Sequence, residues 1–147
     1  MKFKDLLDYF SYLVLLLAFG IMIFYAYMSY YPFEILKFDK VDKNGNGVYE
    51  VLTPEVENGG ILMYRSDFTK LMNIPATMQC AFEDEIIYQV SEKSNNNTVG
   101  DHNEVRAVDV PMSLVPETYR YTCRVIYKLT MGRTIEYNFY TEPFTVK

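Results

Sequence analysis

Few residues in this chain of 147 are of types that do chemistry, and their spacing says more than their number. The two cysteines, Cys80 and Cys123, could form a disulfide, share a metal or stay as buried thiols. The single histidine, His102, lies in a polar stretch beside Asp101 and near Glu104. A histidine-based catalytic triad would have to be built around it, and the sequence carries no nucleophile-base motif and no phosphate-binding glycine loop. His102 therefore reads as a solvated loop residue. Asp42-Lys43-Asn44-Gly45-Asn46-Gly47 mimics the start of a calcium loop, but position 12 of that loop is Thr53 where a bidentate Glu is needed. A plain Asn-Gly turn accounts for the same residues, leaving Asp42, Asn44, Asn46 and Glu50 as weak metal candidates. Met63, Met72, Met78, Met112 and Met131 are soft ligands of the kind a copper handler uses, yet they are scattered and none adjoins a histidine. Glu83-Asp84-Glu85 reads as a solvated turn. Asn96-Asn97-Thr98 is a formal glycosylation sequon that matters only in a eukaryotic secretory pathway.

What positions these residues starts with an apolar segment near the N-terminus. No charged residue occurs between Asp8 and Glu34. Residues 10–31 are nearly all apolar, and as a helix they would span roughly 33 Å, enough for a hydrocarbon core of about 30 Å. Tyr9 and Tyr12 flank one end, and Tyr25, Tyr27, Tyr30 and Tyr31 the other, as in the two aromatic belts of a membrane span. Pro32 ends the helix, since it has no N–H to donate. The competing reading is a cleaved signal peptide, whose apolar region is shorter and ends in a small-x-small site. Tyr27, Met28 and Ser29 do not form one. Lys2 and Lys4 precede the segment, which places the N-terminus in the cytoplasm and the rest outside. Gly20 has Leu16 and Phe24 four residues away, so there is no GxxxG dimer motif. The expected organisation is a tail at 1–8, a transmembrane helix at 9–32, a juxtamembrane strand and hairpin at 33–47 and a domain at 48–147.

That domain carries the whole negative charge. The net charge is −5, and only two of 14 basic and two of 19 acidic residues precede the apolar segment. A sequence pI near 4.9 argues against binding to nucleic acid or to an anionic lipid surface. Short apolar or alternating runs predict strands at 35–38, 48–52, 61–68, 76–82, 86–90, 105–110, 119–129, 134–140 and 144–146. The clearest alternation puts Tyr119, Tyr121, Cys123, Val125, Tyr127 and Leu129 on one face and Arg120, Thr122, Arg124 and Lys128 on the other. Asn44-Gly45-Asn46-Gly47, Asn58-Gly59-Gly60 and Met131-Gly132-Arg133 supply turns. Residues 91–103 read as one long polar loop, and Asn95, Asn96, Asn97, Asp101 and His102 are its candidate binding residues.

Leu114-Val115-Pro116-Glu117-Thr118-Tyr119 resembles the L-x-P-x-x-Y corner before a late strand of immunoglobulin-like and fibronectin-III-like domains. Tyr121-Thr122-Cys123 is similar to the Y-x-C of immunoglobulin domains. The resemblance covers roughly residues 48–146. It implies an all-β, antiparallel immunoglobulin-like β-sandwich with a tyrosine corner at Tyr119 and Tyr121. It also implies Cys80 on strand B and Cys123 on strand F, facing one another across the sandwich as a disulfide. No Trp exists to pack on that bridge, and Tyr88 is expected to take its place. The layout of an anchor followed by one such domain is similar to small membrane proteins of tailed phages and uncultured bacteria. With no cofactor and no catalytic motif implied, the expectation is a membrane-tethered module that binds another envelope or surface protein. A copper or redox accessory factor of the envelope is the alternative. Oligomeric state is left open.

Overall fold

The computed structural model describes residues 3–83, 87–95, 97–129 and 132–147. They form two compact units, one ending at Phe33 and one running from Glu34 to Lys147. The first is the helix α1 (Phe3–Tyr30). Its stretch Asp8–Tyr30 is long and apolar enough to cross a membrane, a property that anchors and signal sequences share. The last helical hydrogen bond runs from the Tyr31 N–H to the Tyr27 carbonyl at 2.8 Å, and Pro32 cannot continue the ladder.

Strand is the principal structure of the second unit. In chain order it contains β1 (Leu36–Phe38), β2 (Gly47–Val51), β3 (Glu55–Val56), β4 (Ile61–Lys70) and β5 (Ala76–Glu83). There follow β6 (Ile87–Asn95), β7 (Gly100–Asp109), β8 (Thr118–Lys128), β9 (Thr134–Thr141) and β10 (Phe144–Val146). Residues 34–47 of the expected juxtamembrane strand and hairpin belong to this unit, and β1 pairs antiparallel with β4 through Leu36–Lys70 and Phe38–Phe68.

All ten strands join in one hydrogen-bonded sheet that turns back on itself. The turn is made by β2, which changes partner along its length. Gly47, Val48 and Tyr49 run parallel to β9, while Glu50 and Val51 run antiparallel to β4. On one side of this switch lie β4 and β7; on the other lie β9, β8, β5 and β6. Close approach at the switch depends on Gly47, where a Cβ would sit 2.6 Å from the Phe38 ring. The buried faces of the two halves meet in an aromatic core. Tyr64 on β4 lies 5.9 Å from Tyr121 on β8, and Tyr49 lies 4.7 Å from Phe139 on β9.

Strand β8 is the middle of this arrangement. It pairs with β5 on one side and β9 on the other, and its first residues also pair with β10. Its inward row is the one read from the alternation: Tyr119, Tyr121, Cys123, Val125 and Tyr127 are buried. The Tyr119 hydroxyl donates to the Val115 carbonyl at 2.9 Å, so Tyr119 makes the corner bond. Tyr121 instead packs in the core against Phe82 and Tyr64.

Cys80 and Cys123 are disulfide-bonded, with Cα atoms 4.1 Å apart. The expected placement of this bridge is corrected. Cys80 is directly opposite Cys123 on the adjacent strand, so the bridge lies within one layer and does not cross the core. The reason is topological. The chain leaves β4 at Lys70 and reaches the other half of the sheet before Cys80, so β5 is a hydrogen-bonded neighbour of β8 and cannot be a strand B opposite it. The Tyr88 side chain, expected to cover the bridge, lies outside the described residues.

Two outcomes follow. Replacing both cysteines with Ala should lower stability by about 2–4 kcal/mol, because the bridge closes a loop with a sequence separation of 43 in the unfolded chain. An unfolding free energy from urea denaturation lowered by less than about 0.5 kcal/mol would show that the bridge constrains little. Secondly, burial pushes the Tyr127 phenol up to about 12, with Tyr137 adding to the rise, and burial pushes Tyr49 up further. Their folded values exceed the ordinary 10.0, so stability is fully present below that value and is lost as pH rises through about 12. Phenolate absorbance should show a set of tyrosines that ionise only together with loss of the sheet's circular dichroism; smooth ionisation of every tyrosine near 10.0 would contradict the burial.

Candidate functional site at the β7 edge

The stretch 91–103, expected to be one long loop, is mostly strand. Backbone pairing carries β6 to Asn95, opposite Ala76, and β7 begins at Gly100, opposite Lys70. Asp101 and His102 are therefore strand residues and Asn95 ends a strand; Asn96 lies outside the described residues. Polarity alone suggested a loop, because β7 puts polar side chains on both of its faces. Among the described residues β4 is its one hydrogen-bonded neighbour, and its side chains are half-buried or exposed on both faces.

The connection through Asn97 and Thr98 is held by two side chains from the facing strands. Lys70 is buried at the end of β4, and its Nζ donates to the Asn97 carbonyl at 2.7 Å. The same ammonium lies 6.0 Å from the centroid of the Tyr127 ring. Removal from water holds Lys70 below its ordinary value of 10.5. His102 Nε2 lies 2.8 Å from the Thr98 carbonyl, and its ring stacks on Phe68 at 4.8 Å. So His102 is packed and hydrogen-bonded, which corrects the reading of a solvated loop residue. The register explains this: His102 is opposite Phe68, on the face of β7 turned to the core.

Glu104 and Arg106 continue the same face, opposite Ser66 and Tyr64. Glu104 accepts from His102 Nδ1 at 3.3 Å and from Arg106 Nη2 at 3.4 Å. The Arg106 guanidinium sits 5.7 Å from the Phe68 ring, so Phe68 is flanked by His102 and Arg106. This makes a row of polar groups, His102, Glu104 and Arg106, along the margin of a strand that among the described residues is outermost, with Glu104 and Arg106 of opposite charge. Lys70 and Arg106 escaped sequence reading, and Glu104 was read only as a polar neighbour of His102. The signal for Lys70 was its phase, two residues beyond Phe68 in the buried series Leu62, Tyr64, Ser66, Phe68.

The weak metal candidates do not converge on an open site. Asp42 Oδ1 accepts from the N–H groups of Asn44 at 2.8 Å and Asn46 at 2.9 Å. Its Oδ2 accepts from Asn46 Nδ2 at 3.0 Å and from the Tyr140 hydroxyl at 3.2 Å. Desolvation works to raise the Asp42 carboxyl, but these bonds from Asn46, Asn44 and Tyr140 outweigh it and hold the group below 3.8. The carboxylate thus acts as the cap of a tight turn in which Gly45 takes a φ of 82°. Glu50 is on β2, paired with Arg65 of β4 at 3.2 Å. Among the described residues no three His, Cys, Asp or Glu side chains come together as a metal cluster.

No protein-family model matches this chain, and no curated protein matches it. Among solved structures it is similar to the CARDB domain of the PF1109 protein from Pyrococcus furiosus, a structure described as a complex with di-metal ions. The identity is 11%, the TM-score is 0.33, and the match covers 75% of this chain and 96% of that one.

The buried ammonium gives a test of the clamp. Lys70 binds its proton less tightly in the folded chain than in the unfolded one, so stability rises with pH from the folded value up to 10.5. Lys70→Met keeps the stem and removes the titration. Wild type should therefore gain on the variant in urea midpoint as pH is raised from neutral toward 10.5, with the tyrosine contribution common to both. Parallel pH profiles would mean that Lys70 is solvated in solution.

Proposed function

We propose that this chain is a single-pass membrane-anchored module whose domain lies outside the cytoplasm and works by binding an envelope or surface protein, without catalysis. The Cys80–Cys123 bridge carries the reading. Disulfides persist in oxidising compartments, and a chain with α1 ahead of a disulfide-bonded domain is best served by crossing the membrane once. Lys2 and Lys4 before the apolar run support the same orientation under the positive-inside rule. The domain is proposed to be an immunoglobulin-like sandwich. Strands β5, β8 and β9 would take the C, F and G places, and β2, β4 and β7 the A, B and E places. That assignment moves Cys80 from strand B to strand C and keeps Cys123 on strand F. Binding through such a domain draws on exposed faces and edges, and the outer face here offers Ile61, Met63 and Val105 as exposed apolar groups.

A reporter fused after Lys147 should be active only on the extracytoplasmic side, and N-terminal sequencing of the membrane fraction should begin at Met1 or Lys2. Cytoplasmic reporter activity would reverse the orientation, and a start near residue 30 would make α1 a signal sequence. Copper or zinc bound stoichiometrically to the purified full chain would replace the binding reading with that of a metal accessory factor.

A further inference from the structure

We infer that β7 pairs edge-to-edge with β7 of a second copy of this chain, antiparallel about a twofold axis at Val105. The starting observation is an open edge. Strand β7 is bonded to β4 through ten consecutive pairs from Ile61–Asp109 to Lys70–Gly100, and among the described residues it has no partner on its other side. An outermost strand of this length presents a row of unpaired N–H and C=O groups. Proteins blunt such edges with Pro, Lys, bulges or inward-pointing charges. Strand β7 contains neither Pro nor Lys, and its register to β4 is uninterrupted.

It does carry charges on its inner-face register, Arg106 half-buried and Glu104 beside it still about half exposed. Against an arbitrary strand these oppose pairing, because they meet apolar or like-charged groups at the join. Against a second copy they match. If the two strands continue one sheet with their inner faces on the same side, paired positions must share parity, so their numbers sum to an even value. The register centred on Val105 puts Glu104 of each copy opposite Arg106 of the other, twice, and uses positions 101 to 109 of both strands. Moving the axis to Glu104 or to Arg106 sets like charges directly opposite, and moving it further shortens the ladder. On the outer face Val105 meets itself beside Ala107 and Asn103. The two outermost pairs are Asp101 with Asp109, exposed like charges that weaken the join at low ionic strength.

This inference rests on the binding-module reading and names the partner of its edge, yet the two are tested apart, since a topology reporter does not sense pairing. The experiment uses the full chain in detergent micelles. Val105→Cys places one thiol on the axis, and the native cysteines are already bridged to each other. This variant should form an interchain disulfide at least about tenfold more readily than Ala107→Cys, whose thiols are kept beyond bridging distance by the same register. Within the Val105→Cys background, Glu104→Arg and Arg106→Glu should each abolish the cross-link. Mixing the two variants should restore it between unlike chains, distinguished by a tag on one, because both cross-strand pairs are again of opposite charge. Equal cross-linking at positions 105 and 107, charge variants that cross-link as well as their parent, or a mixture that fails to recover would each overturn the pairing. If a charge variant fails to fold, judged by circular dichroism, the comparison of positions 105 and 107 decides alone.

Discussion

The alternation along β8 is the constraint on which the rest of the domain depends. Its inward side chains, Tyr119 to Tyr127, fix which face of the sheet is core, and a slip of one residue would expose them all. Its backbone is shared between β5 and β9, so those strands inherit its register. The cystine then follows as a consequence of register. Once Met78 is opposite Val125 and Phe82 is opposite Tyr121, Cys80 can only be opposite Cys123. The bridge locks a pairing that the apolar row already dictates.

The parts of this fold that could be read in advance are those where burial and local pattern agree. Strand β8 has a complete buried face, and its period of two stands out. The turn at Asp42 was legible because Asn and Gly announce it, and the structure adds only that Asp42 is the residue that closes it. The tyrosine corner was legible as a motif, and Tyr119 makes a bond of that kind to Val115. What could not be read is what depends on contacts distant in sequence. The layer to which β5 belongs is set by the path between Lys70 and Ala76, and nothing in Thr77-Met78-Gln79-Cys80 states whether its partner strand lies beside it or across the core. The same gap hid the strand content of 91–103. Alternation is a signal of one fully covered face, and the inner face of β7 is at most half-buried, so charge and polarity survive on both faces.

The Arg106 guanidinium is half-buried on the face directed at Phe68 and Tyr64, while the Glu104 carboxylate beside it stays about half exposed. Arg106 is held there by that ion pair and by the aromatic ring of Phe68. Arg106 Nε is buried with no hydrogen-bond partner among the described residues, which is a further unfavourable contribution. Charges retained in such a position are consistent with selection for specificity at the edge, where they discriminate among strands that could add to it.

Anchoring and edge pairing reinforce one another physically. A contact of nine residues per strand, with two exposed aspartate pairs opposing it, is a weak association for chains free in solution. Only residues 31–33 separate the end of α1 from the start of the second unit. If α1 spans a bilayer, each domain is confined to a thin layer at the surface, and encounter becomes a search in two dimensions with most of the rotational freedom already removed. Under that constraint a contact too weak to hold a soluble dimer can be populated, and it stays reversible because its strength is set by four charges at the edge. In the proposed reading, specificity would come from the alternation of Glu104 and Arg106 and affinity from the membrane, so an edge that would be an aggregation risk on a soluble protein would become a controlled interface on a tethered one.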